Sequence, residues 1–140
     1  MKAFYLFTII ILGLAFAACD RDDAPEYDSS ACEALAVKVE RREVLTQEEY
    51  AQMIGQNAAI LSYLIEKNKA ISEMPADSRS EYWRQLLADP EYMERFGYMF
   101  TLGSALYQAD ADGKLDAQNK ERYDALDKYN RELAEYSERN

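Results

Sequence analysis

Three aspartates cluster around one glycine in the segment 110–116. Asp110 and Asp112 stand on one side of Gly113 and Asp116 on the other, and glycine lets the backbone turn sharply between them. Carboxylate oxygens are the ligands that calcium prefers in proteins. This segment is therefore the strongest candidate for metal chemistry that the sequence offers.

The segment resembles the middle of an EF-hand calcium loop. With Gly113 at the loop's invariant glycine, the three aspartates fall on ligand positions 3, 5 and 9. Both ends depart from the pattern, because Gln108 stands where the first aspartate belongs and Asn119 where the bidentate glutamate belongs. The resemblance thus implies weak calcium binding, of millimolar affinity at best. The alternative is a turn between two helices, in which the acids cap and solubilise the chain.

Small residues form a strip on each of two predicted helices. The strips are Gly55, Ala58, Ala59 and Ser62, and Gly97, Thr101, Ser104 and Ala105. Glycine inside a helix costs about 1 kcal/mol relative to alanine, so each strip suggests a compensating gain. One interpretation is a close approach of the two helices. The other is a shallow groove for a peptide or a ring-shaped ligand, formed by Gly55, Ala59, Tyr63, Trp83, Gly97 and Tyr98.

The composition argues against catalysis. The chain contains no histidine, which removes the commonest general base, the Ser-His and Cys-His pairs and the usual zinc and copper ligands. It also has no glycine-rich phosphate loop and no cysteine pair with metal-ligand spacing. We therefore expect a protein that is not an enzyme. An acid pair assembled by the fold, as in glycoside cleavage, is the one catalytic alternative that stays open.

The first residues have the pattern of an export signal. Lys2 gives a positive start, residues 4–18 form an apolar run, and the small residues Ala17 and Ala18 precede Cys19. The run is shorter than the roughly 20 residues that a membrane-spanning helix needs. A cleaved signal peptide is therefore favoured over a retained transmembrane anchor.

The end of this signal resembles the lipobox of bacterial lipoproteins, with Phe16 where leucine is usual. The resemblance implies that residues 1–18 are removed and that Cys19 is lipidated, which would attach the protein to a membrane. The alternative is an ordinary secretory signal in which Cys19 is incidental. The acidic residues after Cys19 resemble the surface-export signal of some lipoproteins, but an aspartate in this position also resembles an inner-membrane retention mark. A third interpretation is that they form a solvated linker. We expect a cell-envelope protein, in the outer membrane, with the side of that membrane left open.

The chain is strongly acidic, with a net charge of −10. Cleavage before Cys19 would remove only one charged residue, Lys2, and would leave −11. Such a chain repels phosphates, so nucleic acid is not an expected partner. Once Cys19 is lipidated, Cys32 is the remaining thiol, and it is either free or buried, or part of an intermolecular bridge.

The chain after Cys19 divides into two parts. Residues 19–30 combine charge, proline and serine without apolar periodicity, which predicts a disordered acidic tether behind the lipidated cysteine. Residues 31–140 are long enough for one domain with a modest core. The predicted organisation is therefore an anchor, a tether and a single domain.

Helix-start signals recur along this domain. Ser30, Thr46 and Ser78 each stand three residues before a glutamate, which is the spacing of a capping box. The Asp-Pro pair at 89–90 and the carboxylate of Asp116 are further N-cap signals. The long predicted helices run over about 46–72, 89–109 and 116–137. The first helix could equally be a short strand, because apolar residues alternate at 35, 37 and 39.

The predicted fold is all-α, an antiparallel bundle of three long helices with one or two short helices packed against it. We therefore expect a noncatalytic envelope lipoprotein whose acidic bundle is a protein-interaction or accessory module for another envelope protein. The alternative is a ligand-binding lipoprotein. It would take calcium weakly at residues 110–116, or a glycan or peptide through surface aromatics such as Tyr82 and Trp83.

Overall fold

The computed structural model describes residues 25–140, and every regular element in that range is a helix. The helices are α1 (Ser29–Glu40), α2 (Gln47–Ser72), α3 (Ala76–Ala88), α4 (Pro90–Ala111), α5 (Ala117–Ala125) and α6 (Asp127–Arg139). Leu126 alone separates α5 from α6, and its backbone is also helical. The last two segments therefore count as one interrupted helix, giving five in the described range. The all-α prediction is confirmed, and the strand alternative for α1 is wrong.

The predicted signal segment, residues 1–18, and the predicted lipidation site Cys19 lie outside the described residues. Within residues 25–140, none of the helices combines the length and the apolar character needed to cross a bilayer.

Three of the predicted helix starts are confirmed. Thr46 forms a complete capping box with Glu49, so two backbone N–H groups of the first turn of α2 are satisfied. Asp89 caps α4, and Pro90 occupies its first turn. Asp116 accepts the N–H of Asn119 at the start of α5. In each case the partners are at most three residues apart, so local sequence suffices to define the start.

Two predicted starts are wrong. The cap of α1 is Asp28 rather than Ser30, because the Asp28 carboxylate accepts the N–H of Ala31. Helix α3 begins at Ala76, before the predicted cap Ser78, and Pro75 stands at its N-cap without a side-chain hydrogen bond. The backbone of Pro75 is not helical, with φ of −55° and ψ of 142°, so the helix begins after it, and proline has no side-chain acceptor for the first-turn N–H groups.

Helix α2 is the centre of the domain. It packs along α4 and α6 and also contacts α1, α3 and α5. Most of the fully buried side chains belong to it, namely Met53, Ile60, Leu61, Leu64, Ile65 and Ile71. Leu102 and Leu106 of α4 complete the deepest part of the core. The apolar residues of α2 extend around a wide arc of the helix, and they contact several helices.

Hydrogen bonds between helix ends fix the helix directions. At the start of α2, Gln47 Nε2 donates to the carbonyl of Lys114, just after α4, at 2.8 Å. The Asn119 amide of α5 donates to the Gln47 carbonyl, also at 2.8 Å. Near the end of α2, the Asn68 carbonyl accepts from Asn140, which follows α6, at 3.0 Å. Helix α4 therefore runs opposite to α2, whereas α5 and α6 run in the same direction as α2.

Part of the predicted tether is ordered. Ser29 and Ser30 belong to α1, and residues 25–28 lie against α2 and α4. The buried amide of Gln56 accepts the N–H of Asp28 at 2.8 Å and donates to the carbonyl of Glu26 at 3.2 Å. The Gln56 side chain thus supplies the hydrogen-bond partners that the backbone of residues 26 and 28, which is in no helix, does not find in other backbone groups. We call residues 25–28 the docked segment.

Candidate functional site

The three aspartates of the predicted calcium loop have separate partners. Asp110 lies 3.1 Å from the Lys120 ammonium, Asp112 lies 3.6 Å from that of Lys114, and Asp116 caps α5. Within residues 25–140, no group of three or more carboxylate, thiol or imidazole side chains is placed to hold a metal ion. The segment forms the turn between α4 and α5, and its acids pair with neighbouring lysines or cap the next helix.

The residues of the predicted groove lie in different surroundings. A Cβ on Gly55 would stand 3.0 Å from Cγ of Pro25 in the docked segment, whereas a Cβ on Gly97 would meet nothing within 4 Å. Neither strip glycine therefore marks a close approach of α2 and α4. Gly103 is the α4 glycine that faces α2, and a Cβ there would stand 3.5 Å, an ordinary contact distance, from Asn57 Nδ2. The other predicted groove residues, Ala59, Tyr63, Trp83 and Tyr98, are half-buried.

The docked segment is held by a charged and aromatic cluster. The Arg95 guanidinium lies 4.4 Å from the ring centre of Tyr27 and 4.0 Å from that of Tyr63, so it is stacked between two π-faces. The Glu94 carboxylate accepts hydrogen bonds from Ser29 and, at 2.7 Å, from the Tyr27 hydroxyl. These bonds favour the charged carboxylate and lower the pKa of Glu94. The surface near Gly55 and Tyr63 is thus covered by the docked segment of the chain itself.

Cys32 is a buried free thiol. Its Sγ lies 3.6 Å from Oε1 of Gln56. Burial, with a smaller effect from the charge of Asp28, raises the pKa of the thiol to about 11. The group is therefore protonated at neutral pH, and it is neither a nucleophile nor accessible to a second chain.

A cleft opens between α1, the loop after it, and α4, and we call it the α1–α4 cleft. It has a volume of about 730 Å³, and its apolar lining includes Val39, Leu45, Tyr50, Phe100, Ala105 and Ala109. Two apolar side chains at this end of the domain are largely in solvent, since Val44 is 97% exposed and Phe100 is 58% exposed. Thr101, Ser104 and Ala105, members of the second small-residue strip, also line this cleft. That strip therefore faces α1 and its loop rather than the strip on α2.

Two helix ends beside this cleft form the same kind of turn. After α1, the N–H of Glu43 donates to the carbonyl five residues earlier at 3.0 Å. After α4, the N–H of Lys114 does the same at 2.9 Å. The left-handed residue of the second turn is Gly113, with φ of +66°, but that of the first is Arg42, with φ of +55°. An arginine in this conformation costs roughly 1–2 kcal/mol, which glycine does not.

Arg42 also lines the α1–α4 cleft, and it makes no ion pair with any residue in the range 25–140. Its neighbours Glu43 and Lys114 each lie within 4.0 Å of an opposite charge, from Arg41 and Asp112 respectively. A strained backbone that carries an unpaired cation beside an apolar cleft is a feature often found at functional sites.

A second cleft lies between α4 and α5, and we call it the α4–α5 cleft. It adjoins the first along α4, since Phe100, Ser104 and Gln108 line both. It has a volume of about 510 Å³. Its aromatic and amide side chains are Phe100, Tyr107, Tyr123, Asn57, Gln108 and Asn130. Tyr107 is 68% exposed. Tyr123 and Asn130 also line a smaller adjoining cleft with the carboxylates of Asp124 and Asp127. The surface is therefore aromatic, amide-rich and acidic.

The amide of Asn57 in this cleft is not satisfied. Asn57 is only 6% exposed, and its buried Oδ1 has no hydrogen-bond partner. The other two buried side-chain amides of α2 are used. Gln56 binds the docked segment, and the Asn68 amide donates to the Leu64 carbonyl and accepts from the Ser137 hydroxyl. Leaving a buried polar group unpaired costs about 1–3 kcal/mol. Sequence reasoning missed Asn57, although an asparagine within the apolar arc of the longest helix was the signal that could have identified it.

Comparison of the chain with protein-family models, curated proteins and solved structures gave no match. Its function is therefore inferred from the docked segment and the two clefts.

Proposed function

We propose that the chain is a noncatalytic lipoprotein of the bacterial cell envelope, attached to the outer membrane by lipid on Cys19, whose helical domain binds another envelope protein. The anchor part of the proposal rests on the lipobox resemblance of residues 1–19. The noncatalytic part is supported by the lack of histidine and by the buried, protonated thiol of Cys32. The interaction part rests on the α1–α4 cleft.

The proposed module is an antiparallel bundle of three long helices with two short ones packed against it. The long helices are α2, α4 and the interrupted helix α5–α6, and the short ones are α1 and α3. The opposite direction of α4, inferred from the bonds of Gln47, supports this arrangement. Such a bundle holds α4 rigidly against its neighbours, with Phe100 and Tyr107 exposed on it.

One observation carries the interaction proposal, namely the exposure of Val44 and Phe100 beside an open apolar cleft. Val44 is almost wholly in water, and Phe100 makes an edge-to-face contact with Phe96 but keeps more than half of its surface exposed. Aromatic and arginine side chains dominate the energetics of protein interfaces. Arg42 adds a cation to the lining of the cleft in a chain whose net charge is −10. The partner that fits is a protein presenting an apolar segment with an acidic group next to it.

The anchor is tested by metabolic labelling with an alkyne fatty acid. The wild-type protein should carry the label and fractionate with membranes, and the variant Cys19→Ser should lose both properties. A labelled Cys19→Ser protein, or an unlabelled wild type, overturns the anchor. Since Cys32 is buried, Cys32→Ala serves as the matched cysteine control and should be labelled like the wild type.

The contact surface is tested with a photo-crosslinking residue placed in living cells at position 44 or 100. We expect one discrete adduct with an envelope protein at each of these positions, weakened by Arg42→Glu. The control position is the exposed Ser80 on α3, where no adduct should form. Equal adducts at all three positions, or none at any, contradict the proposed surface.

A further inference from the structure

The α4–α5 cleft combines a buried unpaired amide with exposed rings. Asn57 lies at its floor without a hydrogen bond to any residue in the described range, and Tyr107 extends from its wall into solvent. A buried polar group without a partner needs an explanation in a folded protein. Rotation of the amide about its terminal bond can present either its oxygen or its nitrogen to the cleft, because that torsion is broad. A ligand in the cleft would supply the missing partner.

Gly103 keeps this amide uncovered. A methyl group there would lie 3.5 Å from Asn57 Nδ2, an ordinary contact that would place carbon against the amide. The chain nonetheless has glycine at this interior position of α4, where alanine would form the better helix. Access of a ligand to the uncovered Asn57 amide is the gain that can compensate for the lower helix propensity of glycine.

The remaining lining restricts the ligand. Its polar groups are mainly neutral, being the amides of Gln108 and Asn130 and the hydroxyls of Tyr107 and Tyr123. The carboxylates of Asp124 and Asp127 in the adjoining cleft are paired with Lys120 and Arg131, so no cation of these pairs is left to attract an anion, and the chain as a whole is strongly acidic. Anionic ligands are therefore repelled.

A neutral polyhydroxylated ligand matches these groups. A sugar hydroxyl both donates and accepts, as does each amide of the cleft, and it also donates to carboxylates. The C–H face of a sugar ring is apolar and packs on an aromatic ring such as Tyr107 or Tyr123. A cleft of about 510 Å³ lies within the range of pockets that bind small ligands.

We infer that the α4–α5 cleft binds a neutral oligosaccharide, with the amide of Asn57 hydrogen-bonded to a sugar hydroxyl and the rings of Tyr107 and Tyr123 packed on its faces. This binding activity differs from the proposed protein contact in its ligand and in the residues that carry it, Asn57 and Tyr123, which do not line the α1–α4 cleft. Phe100, Ser104 and Gln108 line both clefts. The binding activity depends neither on the lipid anchor nor on Arg42. It also places the glycan site at some distance in sequence from Tyr82 and Trp83.

The test uses the full-length chain and saturation-transfer NMR with four probes. They are the tetrasaccharides of N-acetylglucosamine, maltose-type glucose and cellulose-type glucose, and a blocked tetra-alanine peptide. We expect transfer to at least one neutral tetrasaccharide and none to the peptide. Transfer to the peptide alone, or to no probe, overturns the inference.

Three variants then locate the site. Asn57→Leu removes the amide while keeping the side-chain size, and it should lower the affinity for the bound sugar about tenfold or more. Gly103→Ala should also weaken binding, because its methyl group contacts the amide. Gly97→Ala is the matched control on the same helix, with nothing within 4 Å of the added carbon, and its affinity should equal that of the wild type.

A stability readout separates this site from a purely structural role. If the amide serves a ligand, Asn57→Leu should unfold at a higher denaturant concentration than the wild type, because it removes an unpaired polar group from the interior. Gly103→Ala should do the same through helix propensity. Unchanged sugar affinity in both variants, or a destabilised Asn57→Leu that binds normally, contradicts the assignment.

Discussion

The Cγ atom of Pro25 lies 3.0 Å from the position that a Cβ atom on Gly55 would take. Such a contact is at the lower limit of real Cβ distances, and the ring of a proline cannot bend away as a long side chain does. Next to it, Gln56 bonds to the backbone of Glu26 and Asp28. Gly55 is therefore the position at which the docked segment meets α2.

Replacing Gly55 by alanine should displace this segment. The helix gains about 1 kcal/mol from the better helix former, but Pro25 must move away from α2. Hydrogen–deuterium exchange should show faster exchange at residues 26–28 in Gly55→Ala, with the core amides of α2 unchanged. Gly97→Ala, which adds a methyl group in open space, should keep the wild-type exchange of this segment. Equal protection in both variants means that Gly55 has no role in docking.

Arg42 and Gly113 occupy equivalent places in two turns and should respond oppositely to substitution. Arg42→Gly removes the backbone strain and should raise the free energy of unfolding by about 1 kcal/mol. Gly113→Ala introduces a Cβ at positive φ and should lower it by about the same amount. Urea denaturation of the two variants provides the measurement. A destabilised Arg42→Gly protein would show that the side chain of Arg42 holds the α1–α2 loop in place.

The Cys32 thiol should make stability fall at alkaline pH. Its pKa rises from 9.0 in an ordinary thiol to about 11 in the folded protein, mainly through burial. The folded state therefore keeps a proton that the unfolded state loses, and this contribution, complete below pH 9, decreases as the pH rises toward 11. The stability of the wild type relative to Cys32→Ala, from urea denaturation, should shrink over this range. A constant difference would mean that the thiol does not titrate on unfolding.

Asp116 should act as a helix cap rather than as a calcium ligand. Loss of its hydrogen bond to the Asn119 N–H in Asp116→Ala should cost about 1 kcal/mol of stability. Millimolar calcium should change the melting temperature of neither the wild type nor this variant, because the carboxylates of Asp110 and Asp112 already face lysines. An increase in melting temperature with calcium in the wild type alone would restore the calcium hypothesis.

Local chemistry made part of the fold predictable. The starts of α2, α4 and α5 depend on partners at most three residues apart, and each was found from the sequence. The apolar residues at helical spacing between positions 50 and 71 likewise indicate a helix with several neighbours. The cap of α1 was misplaced because Asp28 and Ser30 offer similar chemistry two residues apart. Only the long-range bond from the Asp28 N–H to Gln56 selects the first of them.

The interruption at Leu126 was not predictable from the helical spacing. The N–H of Leu126 bonds to Tyr123, three residues earlier, at 3.0 Å, which tightens the helix there and divides it into α5 and α6. Leu126 itself is buried. Sequence spacing shows which residues share a helical face, but it does not show where a helix must tighten to keep one of them in the core.

The sites were the least predictable part. Nothing in the sequence distinguishes Gly103, because it belongs to neither small-residue strip. Asn57 likewise stands in the sequence as one polar residue among apolar ones. Their significance arises from a contact between residues 46 positions apart, in which one is small and the other has an unused amide. Such a pair becomes visible only when α2 and α4 are placed side by side.

The docked segment also determines how the domain would respond to a pull on its N-terminus. The chain contacts the sides of α2 and α4, through Gln56 and Glu94, before α1 begins. Tension would therefore act at the same time on several hydrogen bonds and on the contact between Arg95 and Tyr27. Helix α1 would not unwind one turn at a time. A domain whose N-terminal segment is bound in this way would resist unfolding from that end under load.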